Sequence, residues 1–267
     1  MDVGARRAAL DDLYALLAEL EVRVGGKRAL RDCNGRMAWP QRGVYFFFEE
    51  GEYRENGTTP RVVRVGTHAL GASRSTLWGR LLQHRGTDRG STPGGGNHRG
   101  SIFRRHVGAA LLSGEDWPEP LRHSWGQGST ANRVIRVQEY PLELEVSNHI
   151  RRMPFLWLGV EDAPTATSDR GVIETGAISL LSNLDRDNVD PSASGWLGAL
   201  SDRHSIRASG LWNVNHVGDP ADVRFLKVIE VWLGALEVRS VPAQAPSVPD
   251  EHRRNAYEGE PERRNGT

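Results

Sequence analysis

Cysteine is almost absent from this chain. Cys33 is the only one among 267 residues, which excludes a disulfide framework and a cysteine-based zinc cluster. A reduced compartment is therefore expected, and we predict a cytoplasmic protein. The sequence also lacks a long apolar run, so we expect neither a signal peptide nor a membrane partner.

Acidic residues are scarce in one segment, although the formal net charge of the whole chain is zero. Between Arg61 and Val107, Asp88 is the only acid. The positively charged or titratable residues of this segment are Arg61, Arg64, His68, Arg74, Arg80, His84, Arg85, Arg89, His98, Arg99, Arg104, Arg105 and His106. Such a sign bias favours a phosphate-rich ligand, although a solvated arginine-rich surface would give the same pattern.

Apolar periodicity predicts an α/β (α+β) fold with a small three-stranded sheet and flanking helices. Leucines at helical spacing predict a first helix that ends at Gly25. Aromatic and β-branched runs predict strands at 43–48, 61–66 and 155–160, of which the first two form a hairpin. Further helices are expected near 77–84, 103–111, 142–152, 170–181 and 225–236, the fourth of them capped by Ser168 or Asp169.

Composition also predicts how the chain is divided. Residues 1–42 form a helical segment, and residues 43–190 form a core that carries an insertion at 86–153. Residues 191–240 form a helical extension. Residues 241–267 combine proline and charge with few apolar side chains, so this tail is predicted to be disordered.

Five features follow one another in a fixed order. Gly43-Val44-Tyr45 lies on the first predicted strand and Arg64-Val65-Gly66 on the second. Arg80 and His84 are one helical turn apart, so both project from the same face. Glu174 lies on an otherwise apolar helix after the third strand, where a carboxylate needs a partner. This ordered set resembles the GIY-YIG nuclease superfamily, above all its restriction-enzyme-like and uncharacterised bacterial members.

The resemblance implies an activity as well as a fold. It covers roughly residues 43–188 and implies a metal-dependent DNA endonuclease that hydrolyses phosphodiester bonds with an activated water, in restriction or defence. The implied catalytic residues are Tyr45, Arg80, His84 and Glu174, with Glu174 as the ligand of Mg²⁺ or Mn²⁺. The implied partner is DNA, and a homodimer would allow both strands to be cut.

DNA contacts are expected outside the catalytic set. One of them is the family asparagine that follows the glutamate, which matches Asn183 or its rival Asn188. The predicted DNA-binding residues are Arg64, His68, Arg99, Arg104, Arg105 and Asn183.

The residue types fit this chemistry on physical grounds. Phosphodiester hydrolysis needs an activated water and stabilisation of the charge that develops on phosphorus. A glutamate can hold a hard divalent cation, and the guanidinium of Arg80 presents two donors to phosphate oxygens. An ordinary histidine such as His84 can take a proton near neutral pH, whereas Tyr45 needs a metal or nearby arginines to help it lose one.

One position departs from the family pattern. The family usually has a tyrosine where this chain has Arg64, and that tyrosine commonly helps to activate or position the attacking water. Three outcomes stay open: Tyr45 acts alone, His68 or His84 substitutes, or the site is degraded and leaves a DNA-binding module. A protein-binding role is a further alternative, which a flat salt response in DNA binding would reveal.

Two other nuclease types are less well supported, because the chain lacks the residue patterns that they need. A lysine-dependent restriction-type site needs a carboxylate two positions before a lysine, and neither Lys27 nor Lys227 has one. A His-Asn-His site needs a tight histidine and asparagine cluster, which residues 98–106 do not show.

Overall fold

The structure is a computed structural model that describes residues 1–71, 74–89, 92–114, 116–165 and 167–236. The predicted tail at 241–267 therefore lies outside the described residues. Within the described part of the chain, no helix is both long and apolar enough to cross a membrane.

An antiparallel sheet of four strands forms the centre of the fold. Its strands are β1 (Arg28–Ala29), β2 (Gly43–Tyr53), β3 (Pro60–Gly66) and β4 (Pro154–Gly159), in the spatial order β1-β4-β2-β3. The mixed fold and the three predicted strands are confirmed. The fourth strand is an addition, because β1 has only two residues, too few for a sequence pattern, and pairs with the start of β4.

Helices cover the sheet. They are α1 (Val3–Val24), α2 (Leu77–Arg85), α3 (Ile102–Gly114), α4 (Glu119–Ser124), α5 (Arg133–Arg152), α6 (Asp169–Leu181), α7 (His204–Ser209) and α8 (Arg224–Gly234). The predicted cap of α6 is confirmed, since Ser168 accepts a hydrogen bond from the backbone N–H of Gly171. Helix α5 begins earlier than predicted, at a cap formed by Asn132, and continues through Pro141.

Strand β2 separates two hydrophobic cores, because successive side chains of a strand point to opposite faces of the sheet. Val44 and Phe46 pack into the core formed with α1, α6 and α8. Tyr45 and Phe47 belong to the opposite core, which also contains side chains from α2, α3 and α5. The alternation therefore directs Tyr45 toward the helix that carries Arg80 and His84.

The outer edge of β3 is covered by the segment before α8. The backbone N–H of Trp212 donates to the carbonyl oxygen of Val63 at 2.8 Å. The side chain of Asn213 bonds to both the N–H and the carbonyl oxygen of Val65, at 3.1 and 2.8 Å. Covering an edge in this way prevents pairing with other chains and fixes the position of Arg64 between these residues.

Candidate active site

Tyr45 and Gly66 form one packing unit across β2 and β3. They are directly opposite each other in the antiparallel register. A Cβ atom at Gly66 would lie 2.3 Å from the hydroxyl oxygen of Tyr45, which is far closer than atoms can approach. The tyrosine of the first triplet therefore requires the glycine of the second.

The hydroxyl of Tyr45 begins a chain of hydrogen bonds. It lies 2.8 Å from Nε2 of His84, and Nδ1 of His84 lies 2.7 Å from the hydroxyl oxygen of Ser101. All three residues are buried. Burial, followed by the charges of Arg80 and other arginines, holds the pKa of His84 well below its usual value. His84 is therefore neutral at neutral pH, with one ring nitrogen as donor and the other as acceptor.

Arg64 places a guanidinium beside Tyr45. Its Nη1 donates to the carbonyl oxygen of Trp212 at 2.9 Å, and the guanidinium lies over the ring of Phe103, 4.7 Å from the ring centroid. Burial lowers the pKa of Arg64, while Tyr45 and Glu174 act in the opposite direction. The residue that replaces the usual second tyrosine thus brings a buried positive charge to the site.

Glu174 reaches the same end of the sheet from α6. Its Oε1 accepts a hydrogen bond of 3.0 Å from the backbone N–H of Thr67, directly after β3. Burial raises the pKa of Glu174, and the Thr67 N–H and the charges of Arg64, His216 and Arg80 oppose this. Among the described residues no hydrogen bond engages its second carboxylate oxygen.

Arg80 lies on α2 and is half-buried, so it is more accessible to solvent than the buried Arg64. Its Nη1 donates to Gln83 at 2.9 Å and to the carbonyl oxygen of Gly100 at 3.3 Å. Its charge lowers the pKa of His84 and also acts on Glu174. Arg80 therefore acts electrostatically on both His84 and Glu174.

His68 lies in the connection between β3 and α2. Burial, followed by the charge of Arg170, lowers the pKa of His68 to about 4. Its Nδ1 is 3.4 Å from the hydroxyl of Ser75, whereas its buried Nε2 has no hydrogen-bond partner within the described part of the chain. His68 is thus a neutral imidazole with one unengaged nitrogen.

A metal ion would find a single carboxylate here. No group of three or more His, Cys, Asp or Glu side chains suited to a metal occurs among the described residues. Three carboxylates near the start of α6 are already engaged: Glu161 accepts from the Arg42 N–H, Asp162 pairs with Arg170, and Asp169 accepts from the indole of Trp232. The free oxygen of Glu174 suits a hard cation whose other ligands are water and phosphate.

The sequence was also compared with known proteins. Residues 4–238 match the model of a GIY-YIG domain. The chain belongs to the GIY-YIG family. Searches of curated proteins and of solved structures found no match. The match begins inside α1, well before the first signature triplet, so the GIY-YIG assignment covers more of the chain than the motifs alone indicate.

Two arginines predicted to bind DNA are engaged inside this GIY-YIG chain. Arg104 is fully buried, and its Nε donates to Glu143 at 3.0 Å. Arg99 forms two hydrogen bonds with the carboxylate of Glu139, at 2.6 and 2.9 Å. Each guanidinium therefore already has a buried carboxylate as its partner, and contact of either arginine with phosphate stays a prediction.

Asn183 also has partners outside the site. Its Oδ1 accepts from Nη2 of Arg6 at 2.9 Å and from the Val189 N–H at 3.2 Å. These bonds join α1 to the turn after α6, and the structure does not bring Asn183 to Tyr45. Its rival Asn188 is exposed.

Arg105, another residue predicted to bind DNA, is half-buried on α3.

Two residues near the site were missed by the sequence interpretation. Ser101 precedes α3, and its hydroxyl oxygen accepts a hydrogen bond from the Arg104 N–H at 3.3 Å. In the sequence, a serine at this position indicates only a helix cap. His216, whose charge opposes the rise in the pKa of Glu174 that burial causes, adopts φ 64° in a loop between α7 and α8, where no sequence pattern points to it.

Proposed function

We propose that this GIY-YIG protein is a divalent-metal-dependent DNA endonuclease that hydrolyses phosphodiester bonds. The observation that carries the proposal is the hydrogen bond between Tyr45 and His84 beside the charges of Arg64, Arg80 and Glu174. A base, a phosphate-binding cation and a carboxylate ligand are the three parts that such a hydrolysis needs.

Arg80 is proposed to bind the scissile phosphate. Its side chain is half-buried and therefore reachable, and its neighbours Gln83 and Gly100 hold the guanidinium in place. An arginine keeps its charge at every physiological pH and presents paired donors to phosphate oxygens. These donors would stabilise the negative charge that grows on the phosphate as water attacks.

Tyr45 is proposed as the general base that accepts a proton from the attacking water. Its deprotonated form would be stabilised by the charge of Arg64 and by a hydrogen bond from Nε2–H of His84. That tautomer requires Nδ1 of His84 to accept a hydrogen bond, and the hydroxyl of Ser101 is positioned to donate it. Ser101 is thus a positioning residue in the proposed mechanism.

Glu174 would hold the metal ion, Mg²⁺ or Mn²⁺, through its unengaged oxygen. The Thr67 N–H fixes the other oxygen and so orients the carboxylate. When bound, the ion supplies Lewis-acid stabilisation of the negative charge on the phosphate. The carboxylate of Glu174 also adds one negative charge near the positive charges of Arg64 and Arg80.

A second candidate is a DNA-binding module of the same fold whose chemistry has been lost. One observation favours it: Tyr45 and His84 are both fully buried. An attacking water would therefore reach the tyrosine only if neighbouring side chains moved. The experiment that separates the candidates is plasmid cleavage with Mg²⁺ or Mn²⁺, with and without chelator. Metal-dependent nicking supports the endonuclease, and salt-sensitive binding without nicking supports the module.

The proposal extends to a role in restriction or defence and to a homodimer. Cutting both strands of a duplex at one place requires two active sites, which a dimer would supply. Sedimentation of the protein with and without duplex DNA tests this point. A monomer in both conditions would limit the enzyme to nicking one strand at a time.

A further inference from the structure

A cavity of about 610 Å³ lies on the insertion, between the loop before α3 and the N-terminal half of α5. It is separate from the residues proposed for catalysis. Its lining includes Asn97, Arg99, Arg133, Arg136, Val137 and Tyr140.

The cavity carries positive charge that no acid in the described part of the chain neutralises. Its two carboxylates are already paired: Glu139 with Arg99, and Glu143 with Arg104. Arg133 and Arg136 are exposed on the first turn of α5. Among the described residues, the side chain of Arg136 makes one hydrogen bond, from its Nε to the carbonyl oxygen of Ala131, and neither arginine has an ion pair. An anionic occupant would complete this charge balance.

The wall of the cavity is partly apolar. The apolar side chain of Val137 is 59% exposed to solvent. The hydroxyl of Tyr140 donates a hydrogen bond to the carbonyl oxygen of Pro93. A surface that combines free guanidinium groups with apolar and aromatic side chains suits a nucleic-acid strand. Phosphates would meet the arginines, and sugars or bases would meet the apolar wall.

The cavity adjoins the proposed active site through one short segment. Gly100 accepts a hydrogen bond from Arg80 at 3.3 Å, and its neighbour Arg99 lines the cavity. Residues His98–Gly100 form a single turn of 3-10 helix. A strand whose scissile phosphate lies at Arg80 would therefore pass this turn and reach the cavity.

We propose that the cavity binds the sugar-phosphate backbone of the DNA substrate next to the scissile phosphate, through Arg133 and Arg136. This inference rests on the proposed function, because it takes DNA as the occupant. It assigns the DNA contact of the insertion to Arg133 and Arg136, which have no ion pair among the described residues, rather than to the internally paired Arg99 and Arg104.

The test compares Arg133→Ala/Arg136→Ala with Arg152→Ala in duplex DNA binding at several salt concentrations, with chelator present to prevent cleavage. Arg152 is an exposed arginine at the other end of α5. Loss of two phosphate contacts should reduce the slope of log affinity against log salt by about 1.8, since each contact contributes about 0.9. The Arg152 variant should keep the wild-type slope.

An unchanged slope in the double variant would overturn the inference, provided that its melting temperature shows it to be folded. Cleavage by the wild-type protein with Mg²⁺ is measured in parallel. If the wild type cleaves DNA and the double variant binds normally, the inference alone fails. If the wild type binds DNA through these arginines but does not cleave it, the inference stands and the proposed chemistry fails. A wild type that neither binds nor cleaves DNA overturns both.

Discussion

The hydroxyl of Tyr45 lies 2.8 Å from Nε2 of His84, although 39 residues separate the two in the sequence. The bond joins strand β2 to helix α2, and it is completely buried. A buried polar group costs free energy unless it has a partner, so each residue explains the other's presence in the core. The proposed general base is thus held by a second titratable side chain.

The first prediction concerns this pair. Tyr45→Phe removes one hydroxyl and leaves the ring packed, so the protein should fold and bind DNA. Single-turnover cleavage should be abolished, because the variant has no group in this position to accept the proton from water. His84→Ala should give a smaller defect, since it removes only a supporting hydrogen bond.

The ranking of the two variants decides the assignment. A larger defect in His84→Ala than in Tyr45→Phe would transfer the role of base to the histidine. Cleavage that survives in both variants would contradict the proposed site altogether.

The second prediction concerns the contact between Tyr45 and Gly66. Gly66→Ala introduces a methyl group where no space exists, 2.3 Å from the tyrosine oxygen. Overpacking of this kind should destabilise the protein by about 1–3 kcal/mol, measured by urea unfolding. Gly195→Ala is the control, because a Cβ atom there has no neighbour within 4 Å. Equal stability of the two variants would show that the tyrosine moves aside at little cost.

Much of the fold could be predicted from local patterns. The hairpin, the third strand and the cap of α6 at Ser168 each depend on residues within a few positions of one another. The start of α5 could not be predicted in this way. The pattern predicted a helix only from residue 142, whereas α5 begins at Arg133 and continues through Pro141, a residue that usually interrupts a helix interior.

The site was predictable only in part, because charge partners can be distant in sequence. The segment from 61 to 107 contains almost no acid, which made its arginines resemble a DNA surface. The acids that engage Arg99 and Arg104 are Glu139 and Glu143, 40 and 39 residues farther along, on α5. A count of charges within one segment therefore cannot separate free arginines from paired ones.

The third prediction is a pH dependence of stability that arises from His106. This residue is 3% exposed, and burial, followed by the charge of Arg64, lowers its pKa to about 4. In the unfolded chain a histidine has a pKa of about 6.5, so between these values the unfolded state binds more protons. Stability should be complete above about pH 6.5 and should fall as the pH decreases toward 4.

His106→Gln should remove part of this acid-induced loss of the free energy of unfolding. A pKa shift of this size corresponds to up to about 3 kcal/mol. Urea unfolding of wild type and variant at a series of pH values measures the difference in slope. His204→Gln, which alters an exposed histidine, is the matched control and should leave the slope unchanged. A wild-type slope in the His106 variant would mean that another group carries the pH dependence. His68, with its pKa also lowered to about 4, is the next candidate.

The last prediction concerns the carboxylate of Glu174. Asp162→Asn is the comparison, because Asp162 lies in the turn before the same helix but pairs with Arg170. That variant should lose stability and keep its cleavage rate per folded molecule. Glu174→Gln preserves the size of the side chain and removes its charge. DNA affinity should persist or increase in this variant, since a negative charge has left a site that faces phosphate.

Plasmid cleavage by the wild type and by Glu174→Gln, with Mg²⁺ or Mn²⁺ and then with chelator, tests the central claim most directly. We predict metal-dependent cleavage by the wild type that the chelator abolishes. We predict a decrease of roughly 100-fold or more in the variant, since electrostatic stabilisation of the transition state typically has effects of this size. Near-normal cleavage by Glu174→Gln would contradict the assignment of the metal site to this glutamate.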